Sequence, residues 1–234
     1  MSFRPLPGLT LAALPALALL LGLGVWQLQR DAWKADLITT LDARIAAQPI
    51  PLSQALEQAA QGEDVRFTRV RVSGRFADPQ TSLALYGLDE GRPGARAFAV
   101  FETEAAGAPA SLLVDRGWTP RGFDPAPSPE RPLTLIGRLR PEPKPGWFTP
   151  PNTPDATLWY RRKVSPMLAA LQAARPLEGW FVELETPTGA PWPQPAPLGP
   201  ELSDRHLVYA LTWFGLAATL AGVYLAVHRQ RGRF

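Results

Sequence analysis

Two apolar stretches near opposite ends of the chain constrain its fold more than any other feature. The first runs from about Leu9 to Leu28 and the second from about His206 to Val227. At ~1.5 Å rise per residue, each is long enough to cross a hydrocarbon core of about 30 Å. The 234 residues therefore read as a membrane protein. Two transmembrane helices flank one domain, and the residues between them suffice for a domain of ordinary size.

The expected division is residues 1–8 as a cytoplasmic N-terminus and 9–28 as the first transmembrane helix. An exported domain follows over 29–205, closed by a proline-rich linker at 187–200. The second transmembrane helix covers 206–227 and a basic cytoplasmic tail 228–234. Arg229, Arg231 and Arg233 set this orientation by the positive-inside rule. The first stretch exceeds the apolar core of a signal peptide and ends in Trp26-Gln27-Leu28-Gln29-Arg30 without a small-x-small cleavage site, so it reads as a retained helix.

Composition removes several function classes. A net charge of +3 argues against a broad nucleic-acid surface. Zero cysteines exclude disulfides, thiolate metal sites and a cysteine nucleophile. The two histidines are His206 and His228, and no phosphate loop, dinucleotide fingerprint or nucleophile elbow accompanies them. The chain is not expected to be an enzyme. His228, among arginines, reads as a solvated flank residue. His206 shares a helical face with Tyr209, Ala210 and Trp213: one imidazole, one small residue and two flat rings. That set suits a haem, which needs an axial nitrogen and apolar walls. An interfacial histidine in an ordinary aromatic belt is the other reading of the same residues. The small-xxx-small pairs Ala18/Gly22, Ala217/Ala221 and Ala218/Gly222 suggest close helix contact.

Past the first apolar stretch, Trp33, Leu37, Leu41 and Ile45 form one stripe of a continuing helix, ended by Pro49 and Pro51. A short helix is expected from a Ser53 N-cap to Gln61, with Gly62 at its end. Strands are expected over 65–72, with Val70, Val72 and Phe76 in phase, and over 81–86, 96–102, 111–116, 133–139 and 180–185. Gly91-Arg-Pro-Gly94 and Gly107-Ala-Pro109 read as turns, and Ser165-Pro166 as the start of a helix through Ala174. The expected domain is a β-rich α+β fold, a mainly antiparallel sheet or partial barrel with short helices. The linker, with six prolines, reads as a stiff extended spacer.

Several motifs, taken in order, resemble the Surfeit locus protein 1 family of cytochrome c oxidase assembly factors. Gly24-Val-Trp26-Gln-Leu-Gln-Arg30 with Trp33-Lys34 resembles the family's first element. Arg116-Gly117-Trp118-Thr-Pro120 resembles its R-G-W-x-P element, and Asn152-Thr-Pro154 with Trp159 its N-x-P…W element. His206-Leu-Val-Tyr209-Ala-Leu-Thr212-Trp213-Phe214 resembles its second membrane signature. The resemblance implies a bacterial inner-membrane protein with a periplasmic domain that assists maturation of oxidase subunit I, with haem a synthase as a further partner. It implies transient haem a held by His206 as axial ligand, the haem iron being the only metal, with Tyr209, Thr212 and Trp213 lining the pocket. Gly117 reads as a structural position. Arg116, Trp118 and Trp159 either recognise a client or, for the tryptophans, fill the domain core. Ser203-Asp204-Arg205 departs from the asparagines the family often carries before that histidine. An assembly scaffold that binds oxidase subunits without haem is the alternative reading.

Overall fold

The computed structural model describes residues 5–144, 146, 149–152, 158–195 and 206–231, apart from the side chains of Leu37 and His206. The chain divides into two compact units, residues 1–40 with 201–234, and residues 41–200.

The first unit is an antiparallel helix pair. Helix α1, Pro7–Ala46, carries one apolar run through 40 residues, and α4, His206–Gln230, the other. Both are long and apolar enough to span a bilayer. The α1 seam falls on Thr10, Ala13, Leu17, Leu20, Gly24, Gln27, Asp31 and Lys34, an alternation of three and four residues. That spacing is the seam of helices crossing at a shallow angle. Opposite it, Ala210 and Ala217 are buried. Gly24 lies against the Phe214 ring, where a Cβ would come within 2.5 Å of the ring carbons. This glycine, rather than the Ala18/Gly22 pair, sets the closest approach. Ala18, Gly22, Ala218 and Gly222 face outward, and Ala217/Ala221 alone of the three expected pairs lies on the seam.

At the other end, His228 is fully buried, not solvated. Its Nδ1–H donates to the Tyr224 carbonyl at 2.8 Å, and its Nε2 accepts the Leu6 N–H at 3.1 Å. Thr10 Oγ1 and the Tyr224 hydroxyl meet at 2.7 Å one turn away. Burial wins over solvation because the ring satisfies an otherwise orphan helix-terminal N–H.

The second unit is a closed barrel. The hydrogen-bonded order is β1 (Ile50–Pro51), β2 (Arg69–Phe76), β6 (Leu133–Pro141), β8 (Pro176–Leu184), β5 (Ala108–Pro120), β4 (Arg92–Ala105), β3 (Leu83–Asp89) and β7 (Leu158–Trp159). Pairing of β2 with β4 at Gly74↔Thr103, Arg75↔Glu102 and Phe76↔Phe101 closes five strands on themselves. Alternation places Val70, Val72 and Phe76 inside, at 0–3% exposure, with Phe101, Leu112, Val114, Leu139 and Val182. Leu52 and Ala55 of α2 (Leu52–Ala60) join this core. A second core lies on the outer face of β4, β5 and β8, where Phe98, Leu113 and Phe181 pack under α3 (Val164–Ala170) and Trp159.

Several expected boundaries move. Ser53 is not a cap: α2 begins at Leu52 after Pro51, without a side-chain cap bond. Ser165 does not cap α3 either. The Glu142 carboxylate does, accepting the Val164 N–H at 2.7 Å and the Lys163 ammonium at 2.6 Å. A carboxylate from a distant strand end supplies what the local serine would. The turn expected at Gly91–Gly94 sits at Glu90-Gly91, with φ of 49° and 78°, and Pro93 and Gly94 are already in β4. The turn expected at Gly107–Pro109 likewise contracts to Ala106-Gly107. The β2 strand starts at Arg69, since the preceding segment turns at Phe67 with φ 66°. On α1, Leu41 is buried as the stripe expects, but Trp33 is half exposed and the neighbouring Lys34 is buried instead.

Candidate functional site

Three motif regions invite a functional reading, and the barrel absorbs two of them. The Arg116-Gly117-Trp118 stretch is a β-bulge. Ala97 pairs with Gly117 and Phe98 with Asp115, so Arg116 is the extra residue. The bulge turns Arg116 away from the ladder into a pocket of acceptors. Its Nε donates to Thr188 Oγ1 at 3.0 Å, and Nη2 to the Ala126 and Pro127 carbonyls at 2.7 and 3.2 Å. At 1% exposure it is the largest fully buried side chain of the described residues, and burial pulls its guanidinium down to about 10.

Gly117 has φ 126°, and a Cβ there would overlap the Gln194 carbonyl oxygen. Trp118 and Gln194 exchange both backbone bonds, Trp118 N–H to Gln194 O at 2.7 Å and Gln194 N–H to Trp118 O at 2.9 Å. The Trp118 ring sits edge-on to Trp192 at 5.7 Å, and its Nε1 donates to Gly87 O at 3.3 Å. The expected spacer is therefore fastened to β5 as far as Gln194, and residues 196–200 lie outside the described residues. Trp118 and Trp159 are each 5% exposed and fill the core. Asn152 staples the segment after β7: its Oδ1 accepts the Tyr160 and Arg161 N–H groups and its Nδ2 donates to Arg161 O. Arg116, Gly117, Trp118 and Trp159 are thus all buried within the barrel unit. Pro154 lies outside the described residues.

The third region is on the helix pair. His206 is the first residue of α4, and its side chain lies outside the described residues, as do Ser203, Asp204 and Arg205. Ala210 is fully buried, Trp213 half-buried, and Tyr209 52% exposed, so the expected single face splits into a seam side and an outer side. Thr212 faces outward and its hydroxyl donates to the Val208 carbonyl at 2.9 Å. Trp26 is 54% exposed on α1.

Periodicity alone did not flag the α1 residues opposite. Asp31 stands seven residues beyond Gly24 and His206 eight before Phe214. At ~1.5 Å per residue both lie roughly 10–12 Å along antiparallel axes, so the two positions are level. Asp31 Oδ1 is buried with no hydrogen-bond partner among the described residues. Such an atom is rare in folded proteins and calls for a partner. The available signal was the heptad spacing from Gln27 to Lys34, which carries the seam past the apolar run.

A model of the SURF1 family matches residues 14–218, most of the chain. The chain belongs to the SURF1 family. Its similarity to Surfeit locus protein 1 of Mus musculus is 30% identity over 233 residues, covering 89% of this chain and 71% of that protein. The corresponding protein of Homo sapiens is 28% identical, over 84% of this chain and 70% of its own length. A SURF1-like protein of Monosiga brevicollis is 28% identical, over 96% and 89%. The family thus spans both the helix pair and the barrel.

The family motifs also frame a feature that sequence reading missed. On the outer barrel face, Asp115 and Glu183 are buried among four guanidiniums. Arg96 bonds Asp115 at 2.6 Å and Glu183 at 3.0 Å, Arg140 bonds Glu183 at 2.6 Å, and Arg138 and Arg162 approach at 3.6 and 3.7 Å. Burial opposes ionisation of Glu183, but Arg96, Arg140, Arg138 and Arg162 overcome it and hold the carboxyl below its ordinary value. Alternation along β4, β5, β6 and β8 places these charges on one face, but the register that brings them together is not readable in the chain. Among the described residues no group of three or more histidine and acidic side chains is arranged to hold a metal ion.

Proposed function

We propose that this protein assists assembly of cytochrome c oxidase from the membrane, holding haem a on His206 for delivery to, or stabilisation in, subunit I. Family membership supports the role in oxidase assembly. The observation that supports the cofactor is Asp31: an orphaned carboxylate oxygen buried level with an imidazole-bearing position. A carboxylate there fits a haem ligand, because hydrogen-bonded to one ring nitrogen it fixes the tautomer and raises the basicity of the other. Trp213, half-buried about two turns along, supplies an apolar flat wall. Haem, when bound, would supply an iron that takes a nitrogen donor. The chain's part is to present one nitrogen, exclude water along the seam, and bind weakly enough to release. Tyr209 and Thr212 stand at the margin of such a pocket. The setting is a bacterial inner membrane with the barrel periplasmic and both termini cytoplasmic, with haem a synthase as the upstream partner.

A second reading, a scaffold that grips oxidase subunits without haem, draws support from four exposed apolar side chains on the barrel unit. Tyr86, Leu88, Phe123 and Tyr160 are 42–61% exposed, and three of them border one groove. One experiment separates the two. The protein is purified in detergent from cells that make haem a, and the Soret band of the wild type is compared with that of His206→Ala. The cofactor role predicts a band that falls at least tenfold in the variant. A colourless wild-type protein that still co-purifies with subunit I would leave the scaffold alone.

A further inference from the structure

The outer charge layer of the barrel carries more positive than negative charge, and a cavity opens onto its surplus. Four arginines face two carboxylates there. Arg162 gets the least from them. Its guanidinium lies over the Phe98 and Phe181 rings at 5.3 and 4.8 Å and reaches Asp115 only at 3.7 Å, on a carboxylate already taken by Arg96. Its Nε is buried without a hydrogen-bond partner among the described residues. A cavity of about 290 Å³ adjoins it, lined by Lys144, Arg161, Arg162, Tyr86, Tyr160 and Thr149, with no acidic residue in its wall among the described residues. Lys144 forms no ion pair among the described residues, and Arg161 spends its bonds on the neutral Thr149 carbonyl. Three cations sharing one partly enclosed space, with only a distant and already shared carboxylate to answer them, are costly unless an anion joins them.

We propose that this cavity is an oxyanion site, taking the phosphate or carboxylate group of an amphipathic ligand. Arg162 supplies the buried N–H donors, Lys144 the mobile charge at the rim, and the tyrosine pair a flat apolar border. Tyr86 and Tyr160, whose centroids are 5.8 Å apart, also line the larger groove of about 680 Å³ beside it, which holds Phe123 and Leu158. An anionic group in the cavity would thus leave an apolar body a place to lie. Burial, together with repulsion from Arg96 and Arg140, holds the Arg162 guanidinium below its ordinary value, which an anion would relieve. The inference stands apart from the haem site, since it concerns the other unit of the chain.

The test uses the full chain in neutral detergent at constant ionic strength. Inorganic phosphate and monomeric dihexanoyl phosphatidylglycerol are titrated calorimetrically, with dihexanoyl phosphatidylcholine as comparison. Saturable binding of phosphate or the glycerolipid is expected, weakened at least tenfold in Arg162→Gln and in Lys144→Gln. Lys144 is exposed, so its variant keeps the fold and decides the matter if Arg162→Gln is unstable. Tighter binding of the anionic lipid than of phosphate identifies a membrane headgroup as the source, and equal binding a soluble oxyanion. Absence of binding by all three probes, or binding that Lys144→Gln leaves unchanged, overturns the site.

Discussion

Gly117 carries a larger consequence than its size suggests. Its φ of 126° lies in a region that side-chain-bearing residues rarely occupy, and the Gln194 carbonyl fills the space a Cβ would need. Gly117→Ala is expected to cost about 2–4 kcal/mol, through backbone strain and loss of the paired Trp118–Gln194 bonds. Urea unfolding followed by tryptophan fluorescence checks this. The signal should also report freer motion of Trp192 against Trp118, because the same ladder seats both rings. Arg116 next door reads differently in sequence and in structure. An arginine beside a tryptophan looks like a recognition pair, yet it is a clamp on three backbone and hydroxyl acceptors. Nothing in the residue types distinguishes the two roles. The bulge that buries Arg116 arises from a register shift against β4, which is a non-local event.

At the scale of elements, the helix pair makes a checkable claim about its seam. Leu6 meets His228 and Thr10 meets Tyr224, so three residues further along each helix Ala13 falls level with Ala221. The chain has no cysteine of its own, which leaves a clean background. The double variant Ala13→Cys/Ala221→Cys is expected to cross-link on oxidation in native membranes, and Ala12→Cys/Ala221→Cys is not, because Ala12 faces outward. Gel mobility with and without reductant reads the outcome. Helix existence is legible from length and hydropathy, and the strand series from alternation and turn residues. The seam is less so. Small residues are frequent throughout both apolar runs, and only the positions that meet Phe214 and Tyr224 reveal which of them face inward. The placing of His228 fails for the same reason: its neighbours in sequence are basic, but its neighbours in space are Leu6 and Tyr224.

Over the whole barrel, the buried charges tie β4, β5, β6 and β8 to the segment after β7. Glu183 is held below the ordinary glutamate range in the folded state, so its contribution is complete above that range. It is lost as pH falls through the lowered folded value. Glu183→Gln is expected to destabilise the domain at neutral pH by about 3–5 kcal/mol, since it strands buried cations. It should also flatten the acid limb of the stability curve. Urea midpoints measured from neutral to acidic pH, wild type against variant, test both expectations. The charge layer is invisible along the sequence because its members come from five separate segments, and their parity on each strand is informative only once strand order is known.

One seam of the barrel carries the fewest paired residues, three against four for the next shortest, β5 with β8. Only three residue pairs join β2 to β4, against twelve between β4 and β5, and at Gly74 a side chain would collide with the Glu102 carbonyl. A cylinder latched at so narrow a place fails first by gaping there. The opened form would keep most of its ladders yet bare two raw strand margins, which neighbouring molecules can graft onto. For a chain of this design, the gaping form is therefore the species expected to self-associate at high protein concentration.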